Sequence, residues 1–263
     1  MRLIAIAGNT FRENIRDKIL YNLILFALLM IVSSFLLGQL TLGFEDKVII
    51  DLGLSSMSVF GTLIAIFIGI QLVYKELERR TVYALLAKPV ARWEFILGKY
   101  LGLLFTLLVN VAVMTAGLWL TLAWHGSAPW HAYLRLLPAV YLIFLSLAVT
   151  TAVALLFSTF STPALSALFT LFLWIIGHFN ADLIQFAKIA RSAAAETVTR
   201  VLYYLLPNIS NFCSLDSRNV IQSAAYYEPV RAAAVGWATL YAVLYCAAVL
   251  ALAAAIFSRR DFK

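Results

Sequence analysis

The run Ile19–Leu40, ILYNLILFALLMIVSSFLLGQL, carries no charged side chain and is long enough to cross a lipid bilayer as one helix. The hydrocarbon core of a bilayer is about 30 Å thick, which requires roughly 20 consecutive apolar residues. Further apolar runs follow along the chain, at Ser55–Tyr74, Leu97–Leu122, Pro138–Phe157, Ala164–Phe179 and Ala232–Phe257. The sequence therefore predicts an all-α, polytopic integral membrane protein with six transmembrane helices, of which the fifth is short.

The composition of the chain excludes the main soluble classes of protein. Of its 263 residues, 63% are hydrophobic and 13% are charged, whereas a soluble domain averages roughly 45–50% apolar and about 25% charged residues. So many apolar residues are also incompatible with a disordered chain. Six spans leave no room for a large catalytic domain, so we expect a single transmembrane domain over residues 1–263.

The net charge of +7 is distributed unevenly among the segments that flank the spans. Most basic residues lie in the N-terminal segment, the second connection and the C-terminal segment: Arg2, Arg12, Arg16, Lys18, Lys75, Arg79, Arg80, Lys88, Arg92, Lys99, Arg259, Arg260 and Lys263. Because Lys and Arg accumulate on the cytoplasmic side of membrane proteins, both termini are expected in the cytoplasm. This topology accounts for most of the basic charge, and we expect no nucleic-acid partner.

The N-terminal residues 1–18 have an amphipathic helical pattern. Ile4, Phe11 and Ile15 recur at near-helical spacing opposite charged side chains. This pattern predicts an N-terminal interfacial helix that leads into the first span. The alternative is a plain cytosolic extension of that span.

Residues 180–231, between the fifth and sixth spans, form the longest extramembrane segment. Apolar side chains recur on roughly one helical face from Asp182 to Leu206, and Pro207 ends that pattern. We expect amphipathic external helices that lie on the outer membrane surface.

The most informative connection is residues 75–96, KELERRTVYALLAKPVARWEFI, between the second and third spans. Leu77, Thr81 and Leu85 recur at helical spacing, so a helix is expected to continue from the membrane into the cytosol. Pro89 must end or kink that helix. As the third span begins, Lys99 is expected to snorkel to the membrane surface. Composition alone also allows a charged loop that only maintains the topology.

The order of residues in this connection resembles the pattern of ABC-2 type permease subunits. The matching positions are Glu76, Glu78, Arg79, Thr81, Leu85, Leu86, Pro89, Val90, Arg92, Glu94, Gly98 and Lys99. The six-span layout with a long external segment is similar to the same family. Arg80 stands where the family commonly has glycine, which favours an uninterrupted helix at that point.

The resemblance implies that the segment 75–96 docks on a separate ABC ATP-binding subunit. The expected ATPase-coupling residues are Glu76, Glu78, Arg79, Arg80, Thr81, Leu85, Leu86, Pro89 and Arg92. Our hypothesis is that the four charged residues at 76 and 78–80 make polar contacts, while Leu85 and Leu86 fill a groove. The resemblance further implies an efflux transporter in which a second permease copy, as a homodimer or heterodimer, helps to enclose the substrate path.

ATP and Mg²⁺ are expected in the partner subunit. The chain lacks a phosphate-binding loop, because Gly98-Lys99 has Trp93 where the first glycine would stand and Tyr100 where Ser or Thr would stand. We also expect no cofactor, metal or catalytic site in this chain. Its expected surroundings are membrane lipid, in the cell membrane of a bacterium or archaeon.

Small residues at four-residue spacing mark two spans. Gly61, Ala65 and Gly69 lie in the second, and Gly98 and Gly102 lie in the third. Such stripes allow helices to approach closely in lipid. They are predicted to serve helix packing, either within the chain or at a dimer seam.

Two other functions stay open from the sequence. One is a membrane anchor or assembly component that an ATPase drives without transport. The other is an integral membrane enzyme that modifies lipids, which would require polar residues that converge at one membrane depth.

Overall fold

The computed structural model describes residues 2–39, 45–78, 92–125, 130–179, 199, 201, 203, 206–209, 212, 214–215, 218–219 and 232–259. Seven helices lie in these ranges: α1 (Arg2–Ile15), α2 (Lys18–Gln39), α3 (Glu45–Glu78), α4 (Arg92–His125), α5 (Trp130–Ser158), α6 (Pro163–His178) and α7 (Ala232–Arg259). Between α6 and α7, β1 (Ser214–Leu215) pairs antiparallel with β2 (Arg218–Asn219). Apart from this two-residue ladder, the described secondary structure is helical, as the all-α prediction requires.

Five helices are long and apolar enough to cross a membrane: α2, α3, α4, α5 and α7. The multi-pass helical membrane architecture is thereby confirmed for the described part of the chain. The predicted fifth span is α6, which has 16 residues and is about 24 Å long at 1.5 Å per residue. This is shorter than a hydrocarbon core of about 30 Å, so the number of six spans stays a prediction.

Two helices extend well beyond the apolar runs from which they were predicted. α3 begins at Glu45, and its first turn contains Glu45 and Asp46, where acidic side chains interact favourably with the helix dipole. α5 begins at Trp130 and continues through Pro138, which was predicted to begin the span. Proline removes only one backbone hydrogen bond, and neighbouring helices make this tolerable inside a membrane helix.

The centre of the bundle consists of α3, α4 and α5, which pack on one another. α2 packs against α3 and α4, α6 against α3 and α5, and α7 against α4 and α5. The most apolar window of α5 is 72% buried, whereas those of α2 and α7 are 22% and 28% buried. The outer helices therefore present most of their apolar surface to the surroundings.

The small-residue stripe of α3 faces the interior of the chain. A Cβ atom on Gly61 would lie 2.7 Å from Leu147 Cδ1, and one on Gly69 would lie 3.3 Å from Ala154 Cβ. Ala65, between them, is 1% exposed. α3 and α5 thus approach closely along this stripe.

Six buried or part-buried threonine hydroxyls form hydrogen bonds within their own helices. The hydroxyls of Thr106, Thr115, Thr121, Thr150, Thr151 and Thr170 each donate to the carbonyl four residues earlier, at 2.7–2.9 Å. Such bonds remove the cost of a free hydroxyl in an apolar environment. They explain how apolar helices accommodate so many buried threonines.

Candidate functional site

The predicted coupling segment, residues 75–96, includes the end of α3 and the start of α4, which are the longest helices in the described part of the chain. α3 ends at Glu78 and thus contains Glu76 and Glu78 in its last turn, while α4 begins at Arg92. Arg79, Arg80, Thr81, Leu85, Leu86 and Pro89 lie outside the described residues. Each helix has 34 residues and is about 51 Å long at 1.5 Å per residue. Both exceed the thickness of a hydrocarbon core.

The start of α4 is in close contact with α1. A Cβ atom on Gly98 would lie 2.7 Å from Ile6 Cγ2. On Gly102 it would lie 2.5 Å from Thr10 Cβ and 2.7 Å from the carbonyl oxygen of Ala7. The two glycines of this stripe therefore allow an approach that any side chain would prevent.

One turn further along, polar and aromatic contacts continue the α1–α4 interface. Asn14 Nδ2 donates to Thr106 Oγ1 at 3.2 Å, and both side chains are buried. Phe11 meets Phe105 edge to face, with ring centroids 4.6 Å apart. Residues 6, 10 and 14 of α1 thus pair with residues 98, 102 and 106 of α4, in the same order.

These pairs keep a constant difference of 92 in residue number. A constant difference means that α1 runs parallel to the start of α4 for about two turns. Both interpretations of residues 1–18, an interfacial helix and a cytosolic extension of the first span, stay predictions. The position of α1 relative to the membrane surface stays a prediction.

Lys99 is buried at this interface, with 2% of its surface exposed. Its Nζ atom lies 4.0 Å from Glu13 Oε2 and 5.6 Å from the centroid of the Phe95 ring. The expectation that Lys99 snorkels to the surface is wrong, because α1 covers it. Burying an ammonium costs several kcal/mol, and the carboxylate and the ring face offset part of this cost.

Aromatic stacking places the end of α7 near the start of α4. Phe257 stacks on Phe95 with ring centroids 5.9 Å apart and an interplanar angle of 17°. α1, the start of α4 and the end of α7 therefore lie at the same end of the bundle. α3 and α5 run parallel, because Gly61 lies beside Leu147 and Gly69 lies beside Ala154. The turn after α5 therefore lies at the same end of the bundle as the end of α3.

At the other end of the bundle, residues 207–209 are wedged between α6 and α7. A Cβ atom on Gly177 would lie 2.5 Å from the carbonyl oxygen of Pro207. The backbone N–H of Asn208 donates to Tyr241 Oη at 2.8 Å. A narrow, mostly apolar groove lies beside this wedge, lined by Val149, Thr150, Val153, Thr170, Leu173, Trp174, Pro207 and Ile209. Most of the predicted external segment 180–231 lies outside the described residues.

The sequence matches the family described as ABC-2 family transporter protein over residues 4–262. The chain belongs to the ABC-2 transporter family. The match extends over α1–α7 and includes the segment 75–96, in which the resemblance was recognised. A search of curated proteins finds no match to this ABC-2 chain.

Sequence reasoning missed the α1–α4 interface of this ABC-2 chain. It identified Gly98 and Gly102 as packing residues, but it assigned no role to Glu13, Asn14 or Thr106. One signal was present: Thr106 continues the four-residue spacing of the two glycines. No pattern within α4 identifies α1 as the partner, because a small-residue stripe favours close approach by any helix.

Proposed function

We propose that the chain is the membrane-spanning permease subunit of an ABC-2 transporter, which forms the substrate path and couples to a separate ATP-binding subunit for export. The family match over residues 4–262 carries the proposal. The long helices α3 and α4 support it, because they extend beyond a bilayer on either side of the resembling segment.

In this proposal the segment 75–96 is the docking element for the ATP-binding subunit. Glu76, Glu78, Arg79 and Arg80 supply polar contacts, and Leu85 and Leu86 supply apolar ones. Because α3 and α4 continue from the segment as uninterrupted helices, a displacement of the segment moves them as rigid bodies. ATP and Mg²⁺ bind in the partner, and the permease itself has no catalytic site.

The proposed topology has both termini in the cytoplasm. Most Lys and Arg residues lie in three segments: the N-terminus, the second connection and the C-terminus. The packing of α1 on α4 and the stacking of Phe257 on Phe95 support one common location for them. Basic segments gathered at one end of a bundle are typical of the cytoplasmic side.

A second permease copy completes the proposed transporter, as a homodimer or a heterodimer. The sparse burial of α2 and α7, at 22% and 28% of their most apolar windows, supports contacts beyond this chain. Membrane lipid covers the apolar surface that the second copy leaves exposed.

The direct test is purification of the tagged chain from membranes of its own host, followed by an assay of ATP hydrolysis in the eluate. We expect a co-purifying ATPase. Reversal of two adjacent charges, Glu78→Arg with Arg79→Glu, should lower ATPase recovery or uncouple ATP hydrolysis from transport. The matched control is Arg191→Glu, a charge reversal in the predicted external segment, which should have no effect. Unchanged recovery and transport in the double variant would contradict the docking assignment.

A further inference from the structure

The ammonium group of Lys99 is buried although Lys99 lies outside the proposed docking segment, residues 75–96. Lys99 lies in the second turn of α4 and is 2% exposed. Its Nζ atom is 4.0 Å from Glu13 Oε2, and the Glu13 side chain is 36% exposed. An apolar side chain of similar length would fill the same space without a charge to compensate. The charge therefore makes the position of Glu13, and with it that of α1, energetically important.

The contacts around this pair act in two different ways. Gly98 and Gly102 set the distance between the helices, because the α1 backbone and side chains fill the space where a Cβ would be. Close packing alone does not fix how far one helix slides along the other. The Asn14–Thr106 hydrogen bond is a directional contact. The Glu13–Lys99 pair, with its charged atoms 4.0 Å apart, adds an electrostatic attraction that favours the same register along the helix axis.

α1 is in turn joined to α2 by a short hydrogen-bonded turn. The N–H of Arg16 donates to the Glu13 carbonyl at 3.2 Å, and that of Asp17 donates to the Asn14 carbonyl at 3.0 Å. The Asp17 carboxylate accepts from the N–H of Ile19 at 3.0 Å, which caps the start of α2. This turn therefore connects the end of α1 directly to the start of the first span.

We infer that Glu13 and Lys99 are positioning residues that hold α1 in register on α4, so that displacement of the coupling segment reaches α2 through α1 in addition to the direct packing of α2 on α3 and α4. The inference rests on the proposed function, because the ATP-binding subunit supplies the displacement. α4 begins directly after the coupling segment, and Lys99 lies seven residues after Arg92. The connected path is α4, the Glu13–Lys99 pair, α1, the Asp17 cap and α2.

The test uses the full chain with its ATP-binding subunit in lipid nanodiscs. One double variant, Glu13→Gln with Lys99→Met, removes both charges while preserving size. A second, Glu13→Lys with Lys99→Glu, restores a pair of opposite charges. Arg12→Gln is the control, because Arg12 is the exposed neighbour of Glu13 on α1. The readouts are hydrogen exchange of α1 amides, the thermal midpoint and ATP turnover.

For Glu13→Gln with Lys99→Met, we expect α1 amides to exchange severalfold faster, since an ion pair with one partly exposed partner shifts a local opening equilibrium by about this factor. α5 amides should exchange at the original rate. The thermal midpoint should not fall, because replacing a buried ion pair by uncharged groups is often neutral or stabilising. ATP turnover should fall severalfold, and the charge-swapped variant should restore both turnover and protection.

Two results would overturn the inference. One is wild-type exchange and turnover in the uncharged variant, which would mean that the pair does not set the register. The other is turnover that falls only in proportion to the thermal midpoint, which would make the pair merely structural. If the wild-type chain binds no ATPase, the proposed function fails and the coupling role fails with it. The exchange rates of α1 still decide whether the pair holds α1 on α4.

Discussion

Glycines in this chain differ sharply in the space around them. A Cβ atom on Gly102 would lie 2.7 Å from the carbonyl oxygen of Ala7, a backbone atom that moves only if α1 moves. A Cβ atom on Gly8, in α1 itself, would meet nothing within 4 Å. Replacement of glycine by alanine should therefore have opposite effects on stability at Gly102 in α4 and at Gly8 in α1.

Gly102→Ala should destabilise the chain by about 1–3 kcal/mol, the usual cost of overpacking a tight contact. Gly8→Ala should stabilise it by roughly 0.5–1 kcal/mol, because alanine in a helix has less backbone entropy to lose. The two variants are compared by thermal unfolding in the same detergent. Equal midpoints for both variants would contradict the close approach of α1 and α4.

At single residues, the sequence predicts chemistry better than it predicts neighbours. The spacing of Gly98 and Gly102 identifies a close-packing face, but the partner of that face is set by the fold. Lys99 was expected to reach water because lysines near the ends of spans usually do. That rule fails here because α1, more than 80 residues earlier in the chain, covers the ammonium.

At the scale of elements, long apolar runs predict that helices exist but not where they end. The run Ser55–Tyr74 lies inside α3, which begins at Glu45 and ends at Glu78. Charged residues and Pro138 were used as boundaries, yet a helix continues through them wherever the protein or its dipole accommodates them. Hydropathy identifies the apolar part of a helix, whereas helix length depends on the whole fold.

Cysteine labelling tests whether the short helix α6 crosses the membrane. In a background with Cys246→Ala, the native Cys213 should react with an impermeant maleimide only from outside. Ser161→Cys, placed in the turn between α5 and α6 in a background that also contains Cys213→Ser, should react only from the cytoplasm. The opposite ends of α6 are then on opposite sides, as six spans require. Labelling of both positions from the same side would leave five spans.

At the scale of the whole molecule, the chain is a helical bundle with a well-buried centre and apolar outer helices. The central helices α3, α4 and α5 pack on one another, while α2 and α7 are mostly uncovered. The family match over residues 4–262 includes both the centre and the outer helices. We therefore expect the working unit to contain further subunits around this bundle.

The composition of the intact complex tests the central claim most directly. Native mass spectrometry of the tagged chain, released from nanodiscs after purification from its own host, counts the subunits in one measurement. The account predicts two permease chains with two ATP-binding subunits, and lower recovery of the ATP-binding subunits in Glu78→Arg with Arg79→Glu. A permease that is always recovered without an ATP-binding subunit would contradict the account.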